Sequence, residues 1–241
     1  MESIQDFQPW EKLHRQTDLS NNRINPSPII LDFLSRNIFP KINSSSKEQN
    51  CLEVGVGIGR NLICLAEHNY CGNYFGLDHT DEALNKAKQL ADSKGYSNIF
   101  HFVKGMAGKK FTFENNSFDF VFDIMAASTF IMGDNVRRAY AKEVNRILKP
   151  GGIFFVFTGN TDSDYFNQLS EQRKGSEPGT FRRSMDGTME KSYTKNEILS
   201  LYAPLESIIL ESQSHYFRAF GEQVLTRPGG FWFGIFIFSI I

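Results

Sequence analysis

At 241 residues the chain has the length of one domain, or of one domain with an insertion, and 26 Lys and Arg against 27 Asp and Glu leave a formal charge of -1. That balance supplies no global field to draw the protein to DNA, RNA or an anionic membrane, so neither nucleic acid nor membrane is an expected partner. Cys51, Cys64 and Cys71 are an odd set without a C-x-x-C pair, which speaks against a disulfide framework and a zinc site, and no metal is expected.

The opening MESIQDFQPWEKLHRQTD carries scattered charges and no apolar stretch of a secretory leader, and the expectation is a cytoplasmic protein. In SPIILDFLSRNIF, Ser27 precedes Pro28 at a first helical position, and apolar residues follow at helical spacing, predicting a helix of about three turns. NSSSKEQ then reads as a solvated linker, and NCLEV as a short strand that runs into the glycines of VGVGIGRN. A helix through RNLICLAEHN and a strand NYFGLD come next. Thr80 caps a further helix whose first turn holds Asp81 and Glu82, as the helix dipole favours, and which stops at Gly95. Strands follow at 99–103 and 117–125, and a helix in DNVRRAYAKEVNRILKPGG ends in a Pro-Gly-Gly turn feeding the strand IFFVF. Five strands alternating with helices predict an α/β, doubly wound, mostly parallel sheet.

The last third breaks that rhythm. Residues 161–192 are polar, glycine-broken and mixed in charge, and Thr194 with Glu197 then forms a capping box opening a helix that ends near Pro204. The two strands after it, 207–216 and 231–238, have no helix between them, which permits an antiparallel final pair. The run FWFGIFIFSII from Phe231 is about half the length that spans a bilayer and reads as a core strand.

The glycines decide the ligand class. A dinucleotide fingerprint needs G-x-G-x-x-G, and its third glycine would fall on Arg60. Glu53-x-Gly55-x-Gly57-x-Gly59 instead resembles motif I of the class I S-adenosylmethionine-dependent methyltransferases. The likeness continues in Asp78, about 20 residues beyond Gly59 at the end of the second strand, in NSFDFVFDIM, and in EVNRILKPGGIFFVF. These landmarks cover roughly residues 50–158. A sulfonium donor has no pyrophosphate to seat on a helix N-terminus, so its loop needs close backbone passage, which glycines give.

The resemblance implies a Rossmann-like, seven-stranded sheet with an antiparallel last strand, and S-adenosyl-L-methionine as cofactor. It implies that Glu53 orders the loop and the amino-acid end of the ligand, that Gly55 and Gly57 pass beside it, and that Asp78, next to His79, accepts both ribose hydroxyls. Met106 and Ala107 stand where many members carry a Gly-Asp-Ala context at the adenine; a thioether packs on adenine but accepts hydrogen bonds weakly. Asp123 falls near the methionine ammonium in this scheme. The alternatives are a helix N-terminal residue for Asp78 and a solvated strand end for Asp123.

Displacement at a sulfonium disperses charge in the transition state, so alignment and water exclusion supply most of the rate and a catalytic base is optional. The base candidates are His14, His215 and Tyr216, each also suited to a plain structural role. An Asn/Asp-Pro-Pro-aromatic motif is absent after the fourth strand, where DIMAA stands, and the last cysteine is Cys71, so base methylation of nucleic acid is not indicated. The expected layout is a single domain, 1–241, with 1–42 as a helical cover and 161–192 as an insertion over the acceptor site. In the insertion Arg173, Lys174, Arg182 and Arg183 read as solvated surface or as contacts for an anionic acceptor. The expected activity is methyl transfer to O, N or C of a small molecule; the alternatives are a protein or peptide methyltransferase and a non-catalytic scaffold that binds an adenosyl ligand.

Overall fold

A computed structural model describes residues 8–16, 19, 24–36, 48–164, 166, 174–183, 187–218 and 224–239, without the side chains of 8–9, 215–218 and 224–228. Two helices, α1 (Gln8–Gln16) and α2 (Pro28–Ser35), precede the sheet. The chain then runs β1 (Asn50–Val54), α3 (Arg60–Glu67), β2 (Asn73–Asp78), α4 (Asp81–Ser93), β3 (Phe100–Lys104), β4 (Phe118–Ile124), α5 (Ala127–Phe130), α6 (Asp134–Ile147) and β5 (Leu148–Asn160). It closes with β6 (Thr180–Arg182), β7 (Met189–Tyr193), α7 (Lys195–Tyr202), β8 (Glu206–Arg218) and β9 (Val224–Ile237).

Parallel pairing runs β3-β2-β1-β4-β5. On the far side β9 lies antiparallel to β5, from Ile153 opposite Ile237 to Gly159 opposite Phe231, and β8 pairs antiparallel with β9. The sheet has nine strands where the family resemblance implied seven. The two extra strands are the hairpin β6-β7 inside the 161–192 insertion, attached to β5 only at its tip, Gly159 and Asn160. Mixed polarity and short strands hid that hairpin, because neither gives a clear period of two.

Alternation along the central strands sorts the core onto two faces. Cys51, Phe120, Phe122, Phe155, Phe157, Phe231 and Phe233 pack with Ile29, Ile30 and Phe33 of α2 and Leu62 of α3. Leu52, Val54, Val121, Phe154, Val156 and Phe236 pack with Tyr140, Val144 and Ile147 of α6 and Ile198 and Tyr202 of α7. The run from Phe231 is the core strand its composition predicts, with Phe231, Phe233, Ile235 and Phe236 sealed from solvent.

The caps follow the sequence. Thr80 accepts from Ala83 N at the start of α4, and both bonds of the Thr194–Glu197 capping box are made at α7. The helix expected from Ser27 is two turns long in its described part, and the linker expected at 43–49 lies mostly outside the described residues. No helix among the described residues is long and apolar enough to cross a membrane.

Candidate functional site

The carboxyl ends of β1, β2 and β4 meet at the turn between β1 and α3. Gly55, Gly57 and Gly59 have φ of +70°, +54° and +81°, a region L side chains rarely enter. The three positions face different neighbours. A β-carbon on Gly55 would sit 2.4 Å from Ala126 Cβ in the turn after β4, and one on Gly59 3.2 Å from Ala87 Cβ of α4. One on Gly57 meets His14 Cε1 at 3.5 Å, an ordinary contact, so at Gly57 the backbone and not crowding demands glycine.

Backbone bonds pin this turn to β2: Gly55 N and Val56 N both donate to Leu77 O, at 2.8 and 3.0 Å. Gly57 N donates to Asp78 Oδ2 at 3.0 Å. The other oxygen, Asp78 Oδ1, accepts from Thr80 N and Thr80 Oγ1, each at 3.0 Å. Asp78 is therefore both the helix-entry residue of the structural alternative and a clamp on the glycine turn. His79 Nδ1 stands 3.5 Å from Asp78 Oδ1, and burial pulls its imidazole below the ordinary histidine range. Met106 and Ala107, half-buried, follow Gly105, whose N–H bonds Asp78 O at 2.9 Å, so the loop after β3 lies alongside the end of β2.

Two buried carboxyl groups flank the turn on opposite faces of the sheet. Glu53 accepts from Asn61 Nδ2 of α3 at 2.7 Å, and Asn61 Oδ1 in turn accepts from Ser27 N at 2.8 Å. Glu53 Oε2 has no hydrogen-bond partner among the described residues. Desolvation outweighs the Asn61 bond and lifts the Glu53 carboxyl to about 8, so the group holds its proton at neutral pH. Asp123, fully buried, accepts from Ser128 N at 2.7 Å, Tyr140 Oη at 2.8 Å and Ala126 N at 3.2 Å. Burial raises it to about 6 against those three donors. Asp123 is thus not the solvated strand end of the sequence alternative. It anchors the turn 125–128, where Met125 has φ of +50°, to the sheet and α6.

The residues packed over the glycine turn carried no motif. Helix α1 crosses the glycine turn and places His14, 8 % exposed, over Gly57. Lys86 Nζ of α4 donates to His14 O and to Arg15 O, the latter at 3.1 Å, fastening the last turn of α1. At the other end Trp10 packs edge-on against Phe130 at 4.5 Å. The Arg183 guanidinium carbon lies 5.3 Å from the Trp10 ring centre and 5.4 Å from that of Phe130, and Arg183 pairs with Glu190 at 3.5 Å. Arg183 is buried and bridges α1 to the β6-β7 hairpin, which corrects its reading as solvated surface. Arg182 stays exposed, and Arg173 lies outside the described residues. A signal for α1 does exist in QPWEKLHRQ: Pro9 and Glu11 early, His14 and Arg15 late, and Trp10, Leu13 and His14 on one face.

The other base candidates lie on the last hairpin. His215 and Tyr216 lie in β8, opposite Arg227 and Thr226 and past the level of Gly159 and Phe231, with side chains outside the described residues. Among the described residues no three His, Cys, Asp or Glu are grouped to hold a metal ion.

Residues 45–203 match the family model of a methyltransferase domain. The chain belongs to the class I S-adenosylmethionine-dependent methyltransferases. This methyltransferase is 32 % identical over 126 residues to the sterol 24-C-methyltransferase erg6 of Aspergillus fumigatus, a match covering 51 % of this chain and 31 % of that one. The match thus takes in under a third of that relative's length. Among solved structures, a SAM-dependent methyltransferase from Methanosarcina mazei superposes with a TM-score of 0.69 at 21 % identity, over 90 % of this chain and 100 % of that one. Phosphoethanolamine N-methyltransferase 2 of Haemonchus contortus, in complex with S-adenosyl-L-methionine, gives 0.57 at 23 % identity, over 80 % and 40 % of the two chains. Both share the fold.

Proposed function

We propose that this methyltransferase transfers the methyl group of S-adenosylmethionine to O, N or C of an apolar small molecule. The observation that carries this reading is the roof over the glycine turn: His14 over Gly57, and Trp10 against Phe130 and Arg183. A displacement at sulfur gains from water exclusion, and a site roofed by a helix and a hairpin suits a small acceptor better than a polypeptide laid in a groove. The rings at the roof favour an apolar acceptor, in keeping with the sterol named for the Aspergillus relative. In this reading residues 8–16 and the 161–192 insertion form the cover, and Gly55 and Gly57 pass beside the sulfur. Asp78 takes the ribose, with His79 beside it. Met106 and Ala107 flank the adenine, while Glu53 and Asp123 stabilise the two turns and leave the ligand to the backbone. The cytoplasm is the compartment we assign. Its reducing conditions fit three buried free cysteines.

Incubation with a metabolite extract and donor labelled in its methyl group tests the reading. Label appearing in one apolar product, with stoichiometric S-adenosylhomocysteine, is expected. Label on polypeptide instead, or donor binding without release of S-adenosylhomocysteine, overturns it in favour of a protein acceptor or a binding scaffold.

A further inference from the structure

The Asp78 carboxylate is nearly saturated before any ligand arrives. An ionised carboxylate offers about four acceptor positions, two on each oxygen. Oδ1 uses both, on Thr80 N and Thr80 Oγ1, and Oδ2 uses one, on Gly57 N. One position is left, whereas a ribose presents two vicinal hydroxyl donors. Opening an existing bond to free a second position would leave a donor of Thr80, the capping residue of α4, unpaired or release the tie on the glycine turn.

A second acceptor stands beside the first. His14 Nδ1 is buried without a hydrogen-bond partner among the described residues, an arrangement that costs free energy unless something fills it. Its ring neighbour Cε1 lies 3.5 Å from the point a Gly57 β-carbon would occupy, and Gly57 is the residue whose N–H holds Asp78 Oδ2. Asp78 and His14 therefore face the same space from the end of β2 and from the roof.

We propose that the ribose diol of the donor is split between these two residues, one hydroxyl donating to Asp78 Oδ2 and the other to His14 Nδ1. This assigns His14 to donor binding and not to base catalysis, and it rests on the donor-site reading above. The imidazole must be neutral to accept. Burial pulls it below the ordinary histidine range, with the nearby Asp78 charge opposing, so the neutral form prevails at pH 7.5. Lys86, holding the carbonyls of His14 and Arg15, fixes the height of the ring above the turn.

Calorimetry on the full chain with 5′-methylthioadenosine and its 2′-deoxy and 3′-deoxy forms tests the split. His14→Ala is expected to weaken 5′-methylthioadenosine about tenfold. The same substitution should cost nothing against one of the two deoxy ligands, the one lacking the hydroxyl that His14 receives. Asp78→Asn should show the reverse selectivity, and His14→Asn, whose amide oxygen reaches toward the place of Nδ1, should recover most of the loss. An equal loss on all three ligands overturns the proposal and makes His14 a packing residue of α1; so does no loss on any. If the wild-type protein binds none of the three, the donor-site reading itself falls.

Discussion

The turn between β1 and α3 is held by its own backbone, whereas the helix above it is held by side chains. Three glycines at positive φ, two amides on Leu77 O and a third on Asp78 fix the turn in place. Helix α1 is fastened by Lys86 on its last carbonyls and by Trp10 against Phe130 and Arg183. A floor built from main-chain bonds within a parallel sheet shares the stability of the sheet. A roof built from a few side-chain contacts opens at far smaller cost. The function proposed above makes ligand access a property of the roof and ligand geometry a property of the floor.

The sharpest test of the floor concerns its buried strain. Glu53 has a folded-state value of about 8 against an ordinary value of 4.5. The folded protein keeps a proton that the unfolded chain releases, so stability is fully present below about 4.5 and is lost as pH rises through about 8. Over that window the loss is on the order of 3–5 kcal/mol. Glu53→Gln, which keeps an oxygen for Asn61 and cannot ionise, should melt well above the wild type at pH 8.5 and close to it at pH 5. A gap independent of pH would mean that Glu53 stays ionised in the fold.

Gly57→Val probes the floor at the proposed donor site. With φ of +54° the substitution strains the backbone by about 1–3 kcal/mol. Its methyl groups then enter the space under His14. Binding of S-adenosylhomocysteine should fall at least about a hundredfold, near 3 kcal/mol, while the core still unfolds cooperatively. Retained binding would reduce the glycine to a folding role.

Met106→Asp reaches the rim of the same floor. A carboxylate there can accept from the adenine amino group, and the gain for S-adenosylhomocysteine should be about 1.5–3 kcal/mol, with none for an inosine-type analogue lacking that amino group. Equal responses would move Met106 away from the adenine edge.

The smallest effect is expected in the roof. On adding S-adenosylhomocysteine, amide exchange in 8–16 and in the β6-β7 hairpin should slow by about tenfold as the free-state opening is suppressed. Protection confined to 53–61, 78–80 and 105–107 would detach the roof from the ligand and favour an open site.

The strands, caps and glycines of the floor were legible in the sequence because each reports on its own few residues. Asn50–Val54 and Asn73–Asp78 are the strands that NCLEV and NYFGLD predict, and Thr80 and Thr194 cap where capping chemistry places them. Alternating glycines report backbone angles directly, since only glycine enters φ near +60° without strain. What stayed illegible is which side chains meet between elements. Nothing local marks Asn61 as the partner of Glu53, Tyr140 as that of Asp123, or Arg183 as the bridge between α1 and the hairpin.

The sequence by itself therefore determined the parallel α/β class, the glycine turn and the family resemblance, through short-range periodicity, capping and glycine spacing. Only the tertiary structure decided how Asp78 spends its lone pairs and what stands opposite it. Hydrogen-bond capacity is exhausted by whichever donors the fold brings within about 3 Å, and His14, 64 positions earlier in the chain than Asp78, reaches that space because α1 docks through Lys86 of α4 and through Trp10 on Phe130 and Arg183.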